Sequence, residues 1–176
     1  MDSQVNKILA DLEKVTADAD LTSDKKVLAA RFAGPALEQR TAHYILRGRS
    51  TKVAALPKIV GKPISFSLPA ATDTWPRTLM VVTDEQGDEA LPQMLVMQQD
   101  TPRSKYMLWY NIRLMPGAKI PEVPSAETGA IPVENDSLFL KLAPNDLASG
   151  YGDVINKGPA SLSFGLFETL KDEFYK

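Results

Sequence analysis

The chain has 176 residues, 44% of them hydrophobic, and balances 20 Lys and Arg against 22 Asp and Glu for a formal charge of −2. That size fits one domain, or one domain and part of another, and the apolar content excludes a disordered chain. The near-neutral charge argues against broad nucleic-acid binding, and the absence of cysteine removes disulfides, thiolate nucleophiles and cysteine zinc sites together.

Helical periodicity fills the first quarter. Val5, Ile8, Leu9, Leu12 and Val15 recur on one stripe, with Lys7, Asp11, Glu13 and Lys14 opposite. The pattern ends before Asp18, Asp20 and Leu21. Ser23 is the expected N-cap of a second helix, with Asp24 in its first turn and Val27, Leu28, Ala30 and Phe32 on its buried side. Gly34-Pro35 breaks it. Pro35 suits the first turn of a third helix, with Leu37, Thr41, Tyr44 and Ile45 inward and Gly48 as its stop. Residues 53–60 read as a further short helix interrupted by Pro57.

The middle of the chain changes period. Ile64, Phe66 and Leu68 alternate with serines, as in a half-buried strand. Stronger strands are expected at 77–84, 92–99 and 105–115, joined by polar turns at 84–88 and 100–104. Strict alternation in the last of these puts Tyr106, Leu108, Tyr110, Ile112 and Leu114 on a core face, and Met107, Trp109, Asn111 and Arg113 on the other. Prolines at 116, 121, 124 and 132 mark an extended connection. A last strand at 137–142, a helix capped by Asn145 and ending at 157–159, and an amphipathic helix carrying Leu166, Phe167, Leu170 and Phe174 complete the reading. Helices followed by a meander of adjacent strands give an α+β fold, with N-terminal helices packed on an antiparallel sheet and a helical C-terminus. The expected division is 1–143 for the α+β domain and 144–176 for a C-terminal helical segment. That segment carries a faint echo of the opening helices, as the start of a second repeat would.

No catalytic motif survives inspection. Asp18, Asp20 and Asp24 resemble a calcium loop, but Ser23 stands at its glycine position and Ala29 at its bidentate Glu position. Gly150-Tyr151-Gly152 lacks the third glycine of a dinucleotide fingerprint. His43 is the only histidine, so an imidazole metal cluster is excluded and only a site built from carboxylates alone stays open; no metal or other cofactor is expected. Between Glu38 and Asp73 there is no acid, and Arg40, Arg47, Arg49 and Lys52 make a candidate anion patch in that interval.

The helical opening and the strand meander resemble the cystatin-like, cone-shaped fold of the nuclear-transport-factor-2 (NTF2-like) superfamily. The stretch Arg31-Phe32-Ala33-Gly34-Pro35-Ala36-Leu37-Glu38-Gln39-Arg40-Thr41-Ala42 is similar to one that recurs in uncharacterised actinobacterial envelope lipoproteins. Leu147-Ala148-Ser149-Gly150-Tyr151-Gly152-Asp153-Val154-Ile155 fits the start of their next domain. The resemblance implies a curved sheet and an extracytoplasmic protein that reaches the membrane only through a lipid anchor on a removed segment; a cytoplasmic protein is the alternative. The opening Met1-Asp2-Ser3-Gln4 has no basic segment before an apolar core, so no secretory signal is expected there. The resemblance carries over no catalytic residues.

Two functions follow. One is a non-catalytic binding or scaffold module, with a homodimer or interdomain contact through the sheet face. The other is an isomerase- or dehydratase-like enzyme with a pocket inside the cone. Candidate ligand-binding residues are His43, Tyr44, Tyr106, Trp109 and Tyr110. A pocket in which His43 meets a carboxylate would favour the enzyme.

Overall fold

The computed structural model describes residues 2–60, 64–83, 91–115, 122–167 and 169. The chain divides into two compact units, residues 1–131 and 132–176, so the boundary expected after residue 143 lies inside the second unit.

In the first unit, α1 (Asp2–Thr22) runs on through Asp18 and Asp20, where the sequence pattern stops. Tertiary contacts account for the extra turns: Ala19 is fully buried, and Asp20 accepts hydrogen bonds from Arg40 and Tyr44. Ser23 adopts the left-handed conformation (φ 52°), and Asp24 caps α2 (Lys25–Leu28) in its place, its carboxylate accepting from the Lys26 N–H at 2.7 Å. The second helix is thus one turn long. It gives way to residues 31–33, which lie along the sheet: Leu108 donates to the Arg31 carbonyl at 2.7 Å, and Ala33 donates to the Leu108 carbonyl at 3.0 Å.

α3 (Gly34–Arg49) carries Pro35 in its first turn as expected and passes Gly48 by one residue. Its buried stripe is Ala36, Arg40 and Tyr44, while Ile45 stays about half exposed. Residues 53–60 form no helix, because Pro57 withholds a backbone donor, and Ile59 anchors the segment instead at 2% exposure.

The sheet is an antiparallel meander, β1 (Ile64–Pro69), β2 (Arg77–Thr83), β3 (Gln93–Gln99) and β4 (Met107–Arg113), in that spatial order. The turn expected at 84–88 lies outside the described residues. One buried cluster joins Val5, Leu9 and Leu12 of α1, Leu28, Phe32 and Tyr44, and Leu79, Val81, Leu95, Met97 and Leu108 of the sheet. The amphipathic helical stripe therefore meets the inward side of the strands.

In the second unit, a 3-10 turn (Pro144–Asp146) leads into α4 (Leu147–Lys157). Asp146, not Asn145, occupies the N-cap position, and it makes no side-chain cap bond. Residues 137–142 form turns and not a strand, with Leu138 and Phe139 almost wholly exposed. The expected last helix is, in its described part, a 3-10 turn (Phe164–Leu166) followed by extended backbone at Phe167. Residues 168 and 170–176 lie outside the described residues. Lys157 pairs with Asp153 at 2.6 Å, and together with the Ser161 hydroxyl it holds that carboxyl below its ordinary range.

Candidate functional site

A β-bulge decides what the inner sheet surface offers. β3 and β4 pair Val96 with Tyr110 but Met97 with Leu108, so Trp109 is the extra residue. Before the bulge, Leu108 faces the core (0% exposed) and Tyr106 packs beside it, as expected. After it the parity reverses. Asn111 stands opposite Leu95, and Arg113 opposite Gln93, on the inward side, whereas Tyr110 and Ile112 turn outward at 45% and 46% exposure. The expectation of one continuous face from Tyr106 to Leu114 is corrected on this point, since one inserted residue exchanges the two faces.

The bulge residue has a matching seat. The Trp109 ring lies against Gly34, where a Cβ would come within 2.8 Å of the indole. Gly34 also has φ +48°, a conformation that favours glycine. The Gly34-Pro35 pair thus lets α3 start close against β4.

Beyond this contact a cavity of about 360 Å³ opens between α3, the segment at 56–57 and the turned end of β4. Its floor is Phe32 and Ala36, both buried. Its walls carry Arg40, Asn111 and the apolar pair Leu56 and Pro57, and exposed Gln39 and Arg113 stand among its lining residues. The Asn111 side-chain oxygen is buried and has no hydrogen-bond partner. Arg113 makes no ion pair among the described residues.

Arg40 is held in place from behind. Its Nε and Nη2 donate to the two oxygens of Asp20 at 2.8 and 2.5 Å, a bidentate pair, and the Tyr44 hydroxyl donates to Asp20 Oδ1 at 2.6 Å. Burial alone would raise the Asp20 carboxyl, but the Arg40 and Tyr44 hydrogen bonds and the charges of Arg40 and Arg47 outweigh it and hold Asp20 low. Burial and the hydrogen bond to Asp20 push the Tyr44 phenol up to about 12. A second pair, Asp11 with Arg31, links α1 to the segment bridged with β4, Nε to Oδ2 at 2.5 Å.

The candidate residues named from the sequence are dispersed. Tyr44 and Arg40 share one cluster, but Arg40 is 4% exposed and neutralised by Asp20, so it does not belong to an open anion patch. Arg47, Arg49 and Lys52 are exposed. Tyr106 lines a separate cavity of about 300 Å³ with Gln4, Arg77 and Gln99; burial raises its phenol and Arg77 opposes that shift. Trp109 covers Gly34, and Tyr110 lies on the outer face. His43 is half-buried, with Nε2 unpartnered, and meets no carboxylate among the described residues. Sequence reasoning missed Gln39, Asn111 and Arg113 as a group because strict alternation sends Asn111 and Arg113 to the wrong face. Among the described residues no group of three or more His, Asp or Glu side chains is arranged to hold a metal ion, and no helix is long and apolar enough to cross a membrane.

Residues 2–172 match the family described as a domain of unknown function, DUF8094. The chain belongs to this family. The DUF8094 match runs through both compact units, so the helical second unit is included in it together with the sheet. No curated protein and no solved structure matches the chain.

Proposed function

We propose that this DUF8094 chain is a non-catalytic binding module whose ligand sits between α3 and the turned end of β4. The composition of that cavity carries the reading: two guanidinium groups and two carboxamides over an apolar floor. Guanidinium stays protonated and carboxamides stay neutral across the physiological range, so this lining supplies charge and hydrogen bonds but no proton to move. The volume falls within the usual range for ligand pockets, and a bulge that re-aims side chains is a common device beside such sites.

A fragment set observed by ¹H–¹⁵N NMR tests it. The expected result is a ligand that shifts the Gln39 and Asn111 side-chain amide signals and loses its effect in the Arg113→Ala chain. A set whose members shift only signals elsewhere overturns the reading.

The outer face of the sheet supports a second element of the proposal, a contact with another copy of the chain. Met80, Val96 and Tyr110 form one cross-strand row of apolar and aromatic side chains, and Met94 and Ile112 continue it beside Val82, which is itself buried. Sedimentation over a concentration series is expected to show self-association that weakens in Tyr110→Glu; a strict monomer at the highest concentration removes this contact. The likeness of the 31–42 and 147–155 stretches to envelope lipoproteins, and of the helix-then-meander order to NTF2-like cones, supports an extracytoplasmic setting with a lipid-borne attachment. Fractionation of the native protein tests that setting, and recovery wholly in the cytoplasm overturns it.

A further inference from the structure

We propose that the open edge of β4 beside the α3–β4 cavity takes an extended peptide segment of a partner protein as an added strand, with an apolar side chain of that segment seated in the cavity. The proposal rests on the binding reading above and names the kind of partner.

The ladder fixes which backbone groups are left over. β4 is the last strand of the sheet, and Leu114, just past its end, donates to the Pro92 carbonyl at 2.9 Å. In an antiparallel pair the N–H and C=O of one residue point to the same side, and the side alternates along the strand. Counted back in twos from Leu114, Ile112 and Tyr110 turn theirs to β3, and Asn111 and Arg113 turn theirs away. Leu108, beyond the bulge, also turns away from β3, and there Arg31 and Ala33 take both of its groups. Residues 31–33 cover the edge only at that point, because the chain then leaves into α3. Among the described residues no backbone hydrogen bond outside the ladder reaches Asn111 or Arg113.

The cavity lies along the part left open. Asn111, Ile112 and Arg113 all line it, although successive side chains of a strand point to opposite faces. Three consecutive residues share one cavity when it follows their main chain. Across from them, Pro57 has no N–H to offer the edge. Both walls are anchored. Gln93 of β3 donates to the Lys58 carbonyl at 2.8 Å, and Trp109 against Gly34 fixes the start of α3.

N–H and C=O groups on alternate residues, roughly 7 Å apart, repeat at the spacing of a polypeptide main chain. A small ligand meets one such position, and an extended peptide meets both. Its side chains then alternate, and one set faces the apolar floor of Phe32 and Ala36 and the wall of Leu56 and Pro57. Strand addition divides the work in this way, with main-chain bonds giving affinity and a pocket for alternate side chains giving specificity.

The test uses ¹H–¹⁵N NMR on the full chain with the probe acetyl-Thr-Val-Thr-Leu-Thr-amide. Without peptide, the Asn111 and Arg113 amide protons are expected to exchange with solvent faster than those of Tyr110 and Ile112. Equal protection would mean that the edge is already covered, and overturns the proposal. The peptide is expected to shift the Asn111 and Arg113 backbone amides and to slow their exchange. Two N-methylated forms, one at Val and Leu and one at the three Thr, separate strand addition from unspecific apolar contact. An antiparallel strand turns the N–H groups of its inward residues to β4, so methylation at Val and Leu should weaken binding roughly tenfold or more while methylation at Thr does not; a parallel strand gives the reverse. Equal loss in both forms, or loss in neither, overturns the proposal. Arg113→Ala keeps the main-chain donor at that position, and Arg113→Pro removes it without breaking a bond to β3. Proline should abolish a peptide effect that alanine only reduces; if the proline variant does not fold, the methylated forms still decide. A peptide without effect, together with self-association that disappears in Arg113→Pro, assigns the edge to a second copy of the chain and overturns the proposal. If fragments shift the Gln39 and Asn111 side-chain amides while the peptide shifts nothing there, the peptide class is wrong and the binding module stands. If neither does so, both are wrong.

Discussion

Asp20 is the carboxylate on which the helical layer converges, because it balances a guanidinium that is only 4% exposed and accepts from a buried phenol. Removing it leaves a buried charge without a partner, so Asp20→Ala is expected to lower unfolding free energy by about 3 kcal/mol in denaturant titrations. Replacing Arg40 with Met at the same time should recover part of that loss, since the stranded charge then disappears. The pH dependence has a definite sign. Asp20 titrates lower in the folded chain than its ordinary 3.8, so its contribution is present above that value and is lost as pH falls through the folded one. Tyr44 runs the other way, raised from 10.0 to about 12: its contribution is complete below pH 10 and is lost as pH rises towards 12. Thermal melts across that alkaline window should show wild type losing stability more steeply than Tyr44→Phe, and parallel slopes would contradict the assignment. Sequence periodicity marked Tyr44 as inward but gave no hint of Asp20, whose role depends on residues 20 and 24 positions further along.

The element that determines the site is β4 with its bulge. Every strand could be located from alternation and turn chemistry, and β2 and β3 fall within one residue of expectation. Alternation assumes an unbroken ladder, however, and one extra residue at Trp109 reverses every side chain after it. The compensating feature is Gly34, whose missing Cβ leaves room for the indole. Gly34→Ala combines a left-handed φ with a contact of 2.8 Å, and is expected to cost about 1–3 kcal/mol in chemical denaturation. Because the same contact seats α3 against β4, that variant should also weaken binding in the cavity beyond. Unchanged stability would show that the Trp109 ring has another place to go. Helix ends were the least legible: α1 gains its last turns from tertiary ion pairing, and α2 loses its later ones to the bridge between Phe32 and Leu108.

At the scale of the whole molecule, the two units differ in what they can bury. All members of the main core cluster lie between Val5 and Leu108, so the first unit holds its own core. The second buries Gly150, Val154, Ser161 and Thr169 among its described residues, and leaves Leu138, Phe139 and Leu162 almost fully exposed. A unit of that size whose described residues bury so little apolar surface falls below what a hydrophobic core alone sustains. A chain ending at residue 131 is therefore expected to unfold cooperatively, whereas excised residues 132–176 should give the circular dichroism of a largely unfolded peptide. A non-cooperative melt of the shorter chain would contradict the first expectation.

By itself the sequence determined the class of fold, the places of α1, α3, α4 and the four strands of the sheet, the inward stripe of α1 and the start of α3. All of these depend on periodicity and on local backbone chemistry at Pro35 and the polar turns. Only the tertiary structure decided which face Asn111 and Arg113 take, that Arg40 is neutralised by Asp20, and that a cavity lies between α3 and β4. Those outcomes depend on a one-residue offset between paired strands and on contacts between distant residues, and neither leaves a periodic trace in the chain.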